Sequence, residues 1–182
     1  MAQKATEATQ QDPQAEYELH VMRHGLAVTS MEAGDADNSK RPLTQRGRKR
    51  MEEIGKGLRR LGLALDWIVS SPVRCAAETA EIVAWSLGSN IPVEISDTLS
   101  PGRSADEFIA FLAEHPNCKR TLAVGHEPGL SELASRCIGA NPQANLKFRK
   151  GGCCLITFDE FPPKAPGELV WWLPPRVLRT LA

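Results

Sequence analysis

Short apolar runs alternate with segments of helical periodicity over most of the 182 residues. After Thr44, a favourable N-cap, apolar side chains recur at steps of three and four, which predicts a helix that ends near Gly62. Further helices are predicted to begin at Pro72, at the capping box that starts with Ser104, and after Pro128. The stripe of the first helix comprises Met51, Ile54, Leu58 and Leu61. The apolar runs predict strands at residues 17–22, 66–70, 91–95, 121–124, 153–158 and 169–172.

This alternation predicts βαβ units and therefore a three-layer α/β/α sandwich with a mainly parallel central sheet. We assign residues 16–182 to this single domain. Residues 1–15 are polar and lack the hydrophobic core of a secretory signal, so we expect a disordered N-terminal lead-in. No later apolar stretch reaches the length that spans a bilayer.

Net charge and cysteine content reduce the number of functions and binding partners that the sequence supports. The 22 basic and 22 acidic residues cancel, which disfavours nucleic acid or a membrane as partner. The basic run 46–50 is followed by two glutamates, so we interpret it as the solvated face of a helix. The five cysteines form no C-x-x-C pair. This favours reduced thiols and a cytoplasmic location over a disulfide framework or a zinc site.

Basic side chains follow three of the predicted strands. Arg23 and His24 follow the first strand, Arg74 lies in the first turn of the helix after the second, and His126 follows the fourth. Because the carboxyl ends of parallel strands meet at one edge of a sheet, these side chains should line one pocket. Two guanidinium groups, two imidazoles and nearby helix N-termini match the oxygens of a phosphate group.

The same residues predict a chemistry. A neutral imidazole can attack phosphorus, so one histidine would form a phosphohistidine intermediate that water hydrolyses. The arginines and the other histidine would stabilise the transferred group, and no cofactor or metal is needed. Gly25 would leave room for the phosphoryl group beside the backbone. Arg41 lies where it could contact substrate, or equally brace its loop.

Four segments carry a resemblance to a known family. They are Arg23-His24-Gly25, Arg41-Pro42-Leu43-Thr44 with Gly47, Ser71-Pro72-x-Arg74 with Glu78-Thr79-Ala80, and Gly125-His126-Glu127-Pro128. The chain resembles the histidine phosphatase (phosphoglycerate mutase-like) superfamily, and within it the SixA-type phosphohistidine phosphatases. The resemblance implies that His24 is the nucleophile and that Arg23, Arg74 and His126 complete the phosphate pocket.

The loop after the third strand departs from the mutase-like pattern, which implies a glutamate acid there. This region offers Asp97, Asp106 and Glu107, and the capping box accounts for the last two. A P–N bond to imidazole needs a dedicated acid less than a phosphate ester does. We therefore expect phosphohistidine on a protein as substrate. The alternatives are small phosphate esters, a mutase reaction, or a non-catalytic phosphate-sensing or scaffolding module.

Overall fold

A six-stranded mixed sheet forms the centre of the computed structural model, which describes residues 16–29, 38–141, 144 and 146–182. Its spatial order is β3-β2-β4-β1-β5-β6. The first four strands pair in parallel, whereas β5 and β6 add an antiparallel edge. The strands are β1 (Tyr17–Arg23), β2 (Trp67–Ser70), β3 (Val93–Ile95), β4 (Arg120–Gly125), β5 (Cys153–Phe158) and β6 (Glu168–Leu173).

Helices cover both faces of this sheet, which confirms the predicted three-layer sandwich. The helices are α1 (Gln45–Arg60), α2 (Arg74–Leu87), α3 (Ala105–Ala113), α4 (Gly129–Cys137) and α5 (Pro175–Thr180). Helices α1, α2 and α5 pack on one face, and α3 and α4 pack on the other. Short 3-10 helices occupy residues 38–40 and 97–99.

The residues that were predicted to begin or end helices lie at helix ends in the structure. The Thr44 hydroxyl caps α1 by accepting a 2.9 Å hydrogen bond from the Gly47 N–H. Gly62, with φ of +81°, follows the end of that helix. The capping box of Ser104 and Glu107 is present at the start of α3.

Most element boundaries differ from the predictions by one or two residues. Helix α2 begins at Arg74 rather than at Pro72. Strand β3 begins at Val93, because its pairing with β2 starts there. Leu61 was predicted to belong to the buried stripe of α1, and it is 43% exposed. It is the C-cap residue after the last helical residue of α1, so it no longer lies on the buried face of the helix.

Four of the five cysteines are buried. Cys153 and Cys154 face opposite sides of the sheet and belong to different apolar clusters. All five thiols are free, and Cys118 is the one that reaches solvent appreciably. Among the described residues, no helix combines the length and apolar character that crossing a bilayer requires. The prediction for residues 1–15 lies outside the described part of the chain.

Candidate active site

The carboxyl ends of β1 and β4 bring two of the predicted histidines together. The strands are in parallel register, with Arg23 opposite Gly125. The His24 N–H continues this ladder with a 3.1 Å bond to the Gly125 carbonyl. As a result, the ring centroids of His24 and His126 are 5.0 Å apart.

His24 is held as a neutral imidazole with a defined tautomer. Its Nδ1 lies 2.7 Å from the Gly25 carbonyl oxygen, which can only accept, so Nδ1 carries the proton. The ring is 6% exposed. Burial, and next the neighbouring His126, lower the pKa of His24 to about 3. The Nε2 atom therefore keeps its lone pair at neutral pH, as a nucleophile requires.

The structure gives a different reason for a glycine at position 25 from the one that the sequence suggested. A Cβ at this position would lie 2.8 Å from Met51 Cγ and 3.2 Å from Leu43 Cδ2. Both are buried core side chains, so glycine allows close packing against α1 rather than room for a phosphoryl group. The Gly25 N–H is fixed by a 3.0 Å bond to the Thr79 hydroxyl, which itself donates to the Cys75 carbonyl.

Arg23 and Glu127 hold the peptide of Phe148 from its two sides. Arg23 Nη1 donates to the Phe148 carbonyl at 2.8 Å, and Glu127 accepts from the Phe148 N–H. Ser131 donates to the second oxygen of Glu127, and the Phe148 ring stacks on Trp172 with centroids 4.0 Å apart. The glutamate next to His126 is therefore a structural partner. Arg23 Nε is buried and has no hydrogen-bond partner among the described residues.

Arg74 is oriented by Glu78, one turn later in α2. Its Nε lies 2.9 Å from Glu78 Oε1, which also pairs with Arg48 Nη2 at 2.7 Å. The second oxygen, Oε2, accepts from the buried Leu43 N–H at 2.8 Å. Glu78 is 9% exposed, so one nearly buried carboxylate joins α1, α2 and the loop before α1. Arg48, a residue of the basic run that was interpreted as a solvated face, has a side chain that is 43% exposed and also pairs with Glu78.

The start of α2 lies beside the two histidines, as the contacts of Ser71 and Cys75 show. Ser71 Oγ lies 2.9 Å from His126 Nε2, and Cys75 has its sulfur close to both imidazoles. Burial, followed by the charges of Arg23 and Arg41, lowers the pKa of His126 to about 4. The charge of Arg41 thus acts on the same pocket, and Arg74 donates to Glu78.

The three candidate acids after β3, Asp97, Asp106 and Glu107, do not line the described surface beside His126. Asp97 is exposed and is approached by the Ser100 hydroxyl at 3.4 Å. Asp106 pairs with Arg136 at 3.0 Å, and Glu107 belongs to its capping box. The surface beside His126 is lined by residues 98–105, 108 and 126–130, together with Leu133. Within this described lining, Glu127 supplies the carboxylate, and its oxygens are already hydrogen-bonded.

Comparisons of the sequence and of the fold relate this chain to known proteins. The sequence model of the histidine phosphatase superfamily (branch 1) matches residues 19–100. An uncharacterized protein of Picosynechococcus sp. is 34% identical over 138 residues, which cover 74% of this chain and 81% of that protein. The chain belongs to the histidine phosphatase superfamily, and this membership supports a phosphatase enzyme.

Solved structures share the fold over nearly their whole length. The protein histidine phosphatase SixA, in complex with tungstate, matches with a TM-score of 0.77 and 23% identity, covering 88% of this chain and 99% of that one. The alpha-ribazole phosphatase of Shigella flexneri matches with a TM-score of 0.67 and 19% identity, covering 85% and 95%. The α/β fold predicted from the sequence is thus that of the histidine phosphatases.

Proposed function

We propose that this protein is a cytoplasmic, cofactor-independent phosphohistidine phosphatase that acts on a phosphorylated protein. The observation that carries the proposal is the pair of facing imidazoles, with His24 Nε2 left unprotonated by the bond of Nδ1 to Gly25. The free state of all five thiols supports a reducing compartment.

In the proposed reaction, His24 Nε2 attacks the phosphorus of the substrate. A bond forms between Nε2 and phosphorus while the bond from phosphorus to the leaving imidazole breaks, and the leaving nitrogen takes up a proton from water. Water then attacks the phosphohistidine, which releases inorganic phosphate and returns neutral His24. Because Nδ1 is held by a carbonyl, the ring keeps one orientation through both steps.

Cationic and N–H groups around His24 would stabilise the transferred phosphoryl group. The partnerless Arg23 Nε is a buried donor that a phosphate oxygen would satisfy. Arg74 supplies a guanidinium at the start of α2, and His126, whose ring centroid lies 5.0 Å from that of His24, supplies a ring nitrogen. Arg41 is assigned to substrate binding, since its charge acts on His126. Loss of one such donor typically raises the barrier by about 3–4 kcal/mol.

The preference for a phosphoramidate follows from the missing acid. A phosphate ester needs a proton on its leaving oxygen, and Asp97, Asp106 and Glu107 do not line the described surface beside His126. An imidazole leaving group accepts its proton near neutral pH. Tungstate, which SixA binds, is an oxyanion of the same shape as phosphate, so the shared fold supports an oxyanion pocket here.

The test compares kcat/KM for a phosphohistidine-carrying protein with kcat/KM for phosphate esters, including phosphoserine and an aryl phosphate. We expect the phosphohistidine protein to be preferred, and His24→Ala to remove turnover of every substrate. Higher kcat/KM for a small ester would assign the protein to the ester phosphatases instead. Phosphate binding without any turnover would favour the sensing module.

A further inference from the structure

Cys75 is a buried thiol at the base of the pocket that the proposed mechanism does not use. It is the second residue of α2, and its backbone carbonyl is engaged by Thr79. The sulfur and one ring nitrogen each of His24 and His126 all lie within 4.8 Å of one another. Three chain segments that are distant in sequence therefore place two imidazoles and one thiol around a common point.

This donor set matches the ligands of one class of metal ion. Zn²⁺ takes imidazole nitrogen at about 2.0–2.1 Å and thiolate sulfur at about 2.3 Å in tetrahedral sites. Two ligand atoms on such an ion are then roughly 3.3–3.6 Å apart, as those bond lengths require. The three ligand atoms lie within 4.8 Å of one another, so binding would need an inward shift of about 1 Å. Thiolate selects Zn²⁺ and similar soft ions over Mg²⁺ and Ca²⁺.

We propose that His24, Cys75 and His126 form a site for one Zn²⁺ ion per chain, and that bound Zn²⁺ inhibits the enzyme. The ion occupies the lone pair of the His24 nitrogen, so the nucleophile is blocked while the metal is bound. Zinc and the phosphorylated substrate therefore exclude one another. The metal site goes beyond the proposed function, because it depends only on the three donor atoms, whereas the inhibition rests on the proposed role of His24 as nucleophile.

The charges of the pocket set the expected strength of this site. Arg23 and Arg41 act on His126, and Lys150 acts on His24 and Cys75, so three cations oppose a divalent ion. Conversion of the Cys75 thiol to a thiolate offsets one of these charges. With three protein ligands and an open fourth position, we expect reversible, inhibitory binding that is weaker than in a closed structural zinc site.

The test uses Co²⁺ as a spectroscopic substitute for Zn²⁺ on the purified full chain. Co²⁺ bound by a cysteine gives a thiolate-to-cobalt charge-transfer band, which addition of Zn²⁺ should bleach. Cys75→Ser should remove that band and weaken metal binding by more than about 100-fold, the upper end of what loss of a second-shell partner costs. Cys118→Ser, which removes the half-exposed thiol away from the site, should leave the band intact.

The activity arm of the experiment separates inhibition from catalysis. Zn²⁺ should inhibit the parent and Cys118→Ser, and it should leave Cys75→Ser active at the same concentration. Absence of the charge-transfer band in the parent would overturn the proposal without any variant, and so would an unchanged band in Cys75→Ser. The band reports metal binding even if no phosphorylated substrate is turned over, so its failure is distinguishable from failure of the phosphatase assignment.

Discussion

Replacement of Glu78 is the perturbation whose effects the structure defines most closely. Glu78 pairs with Arg74 and Arg48 through one oxygen and accepts from the Leu43 N–H through the other. Glu78→Ala removes all three bonds. Glu78→Gln keeps an amide oxygen for the Leu43 N–H and removes the charge that attracts the two arginines.

The magnitude follows from the exposure of each partner. The Arg48 and Arg74 side chains are 43% and 58% exposed, so each ion pair contributes about 0.2–1 kcal/mol. Leu43 is buried, and leaving its N–H without an acceptor costs about 1–3 kcal/mol. We expect Glu78→Ala to lower the free energy of unfolding by about 2–4 kcal/mol, and Glu78→Gln by about 1 kcal/mol.

Activity should respond differently from stability. Both variants release the Arg74 guanidinium, and misplacement of a phosphate ligand by about 1 Å costs up to about 100-fold in rate. Urea unfolding gives the stability change, and steady-state assays give kcat/KM. Glu160→Gln, which removes an exposed i,i+4 pair with Lys164, is the matched control and should change neither.

A double-mutant cycle decides whether Glu78 acts through Arg74. In an Arg74→Ala background, Glu78→Gln should have little further effect on kcat/KM, because the guanidinium it positions is gone. Fully additive losses in kcat/KM, or unchanged kcat/KM in Glu78→Gln alone, would refute the positioning role.

Two further outcomes follow from buried polar groups. Burial lowers the pKa of His20 to about 4, so between about pH 6.5 and 4 the unfolded chain binds the additional proton and stability falls as pH falls. His20→Gln should remove about 2 kcal/mol of the stability loss between pH 7 and pH 5, measured by urea unfolding. Thr79→Val leaves the Gly25 N–H without its acceptor and should cost about 1–3 kcal/mol of unfolding free energy, against little change for the exposed Thr180→Val.

The strand-end residues could be predicted because their placement needs only parallel pairing. Once β1 and β4 are parallel neighbours, His24 and His126 must follow the ladder at the same edge. The helix caps at Thr44 and Ser104 were equally accessible, since each capping bond joins residues three positions apart.

The other features of the site depend on contacts between segments that are distant in the sequence. No local sequence pattern predicts such contacts. Glu78 reaches Leu43 across 35 positions, and Glu127 reaches Phe148 across 21 positions. The proximity of Cys75 to both imidazoles depends on where α2 starts relative to two strand ends, so a search for C-x-x-C spacing cannot find it. Likewise, the packing that requires Gly25 involves Met51 from a different element.

Trapping of the phosphoenzyme tests the central claim most directly. The parent is mixed with a radiolabelled phosphoramidate, quenched in base, and digested so that the labelled residue can be located. We predict one acid-labile, base-stable phosphoryl group on His24, and no label in a folded His24→Ala variant. A label on another residue, or full turnover by His24→Ala, would contradict the mechanism.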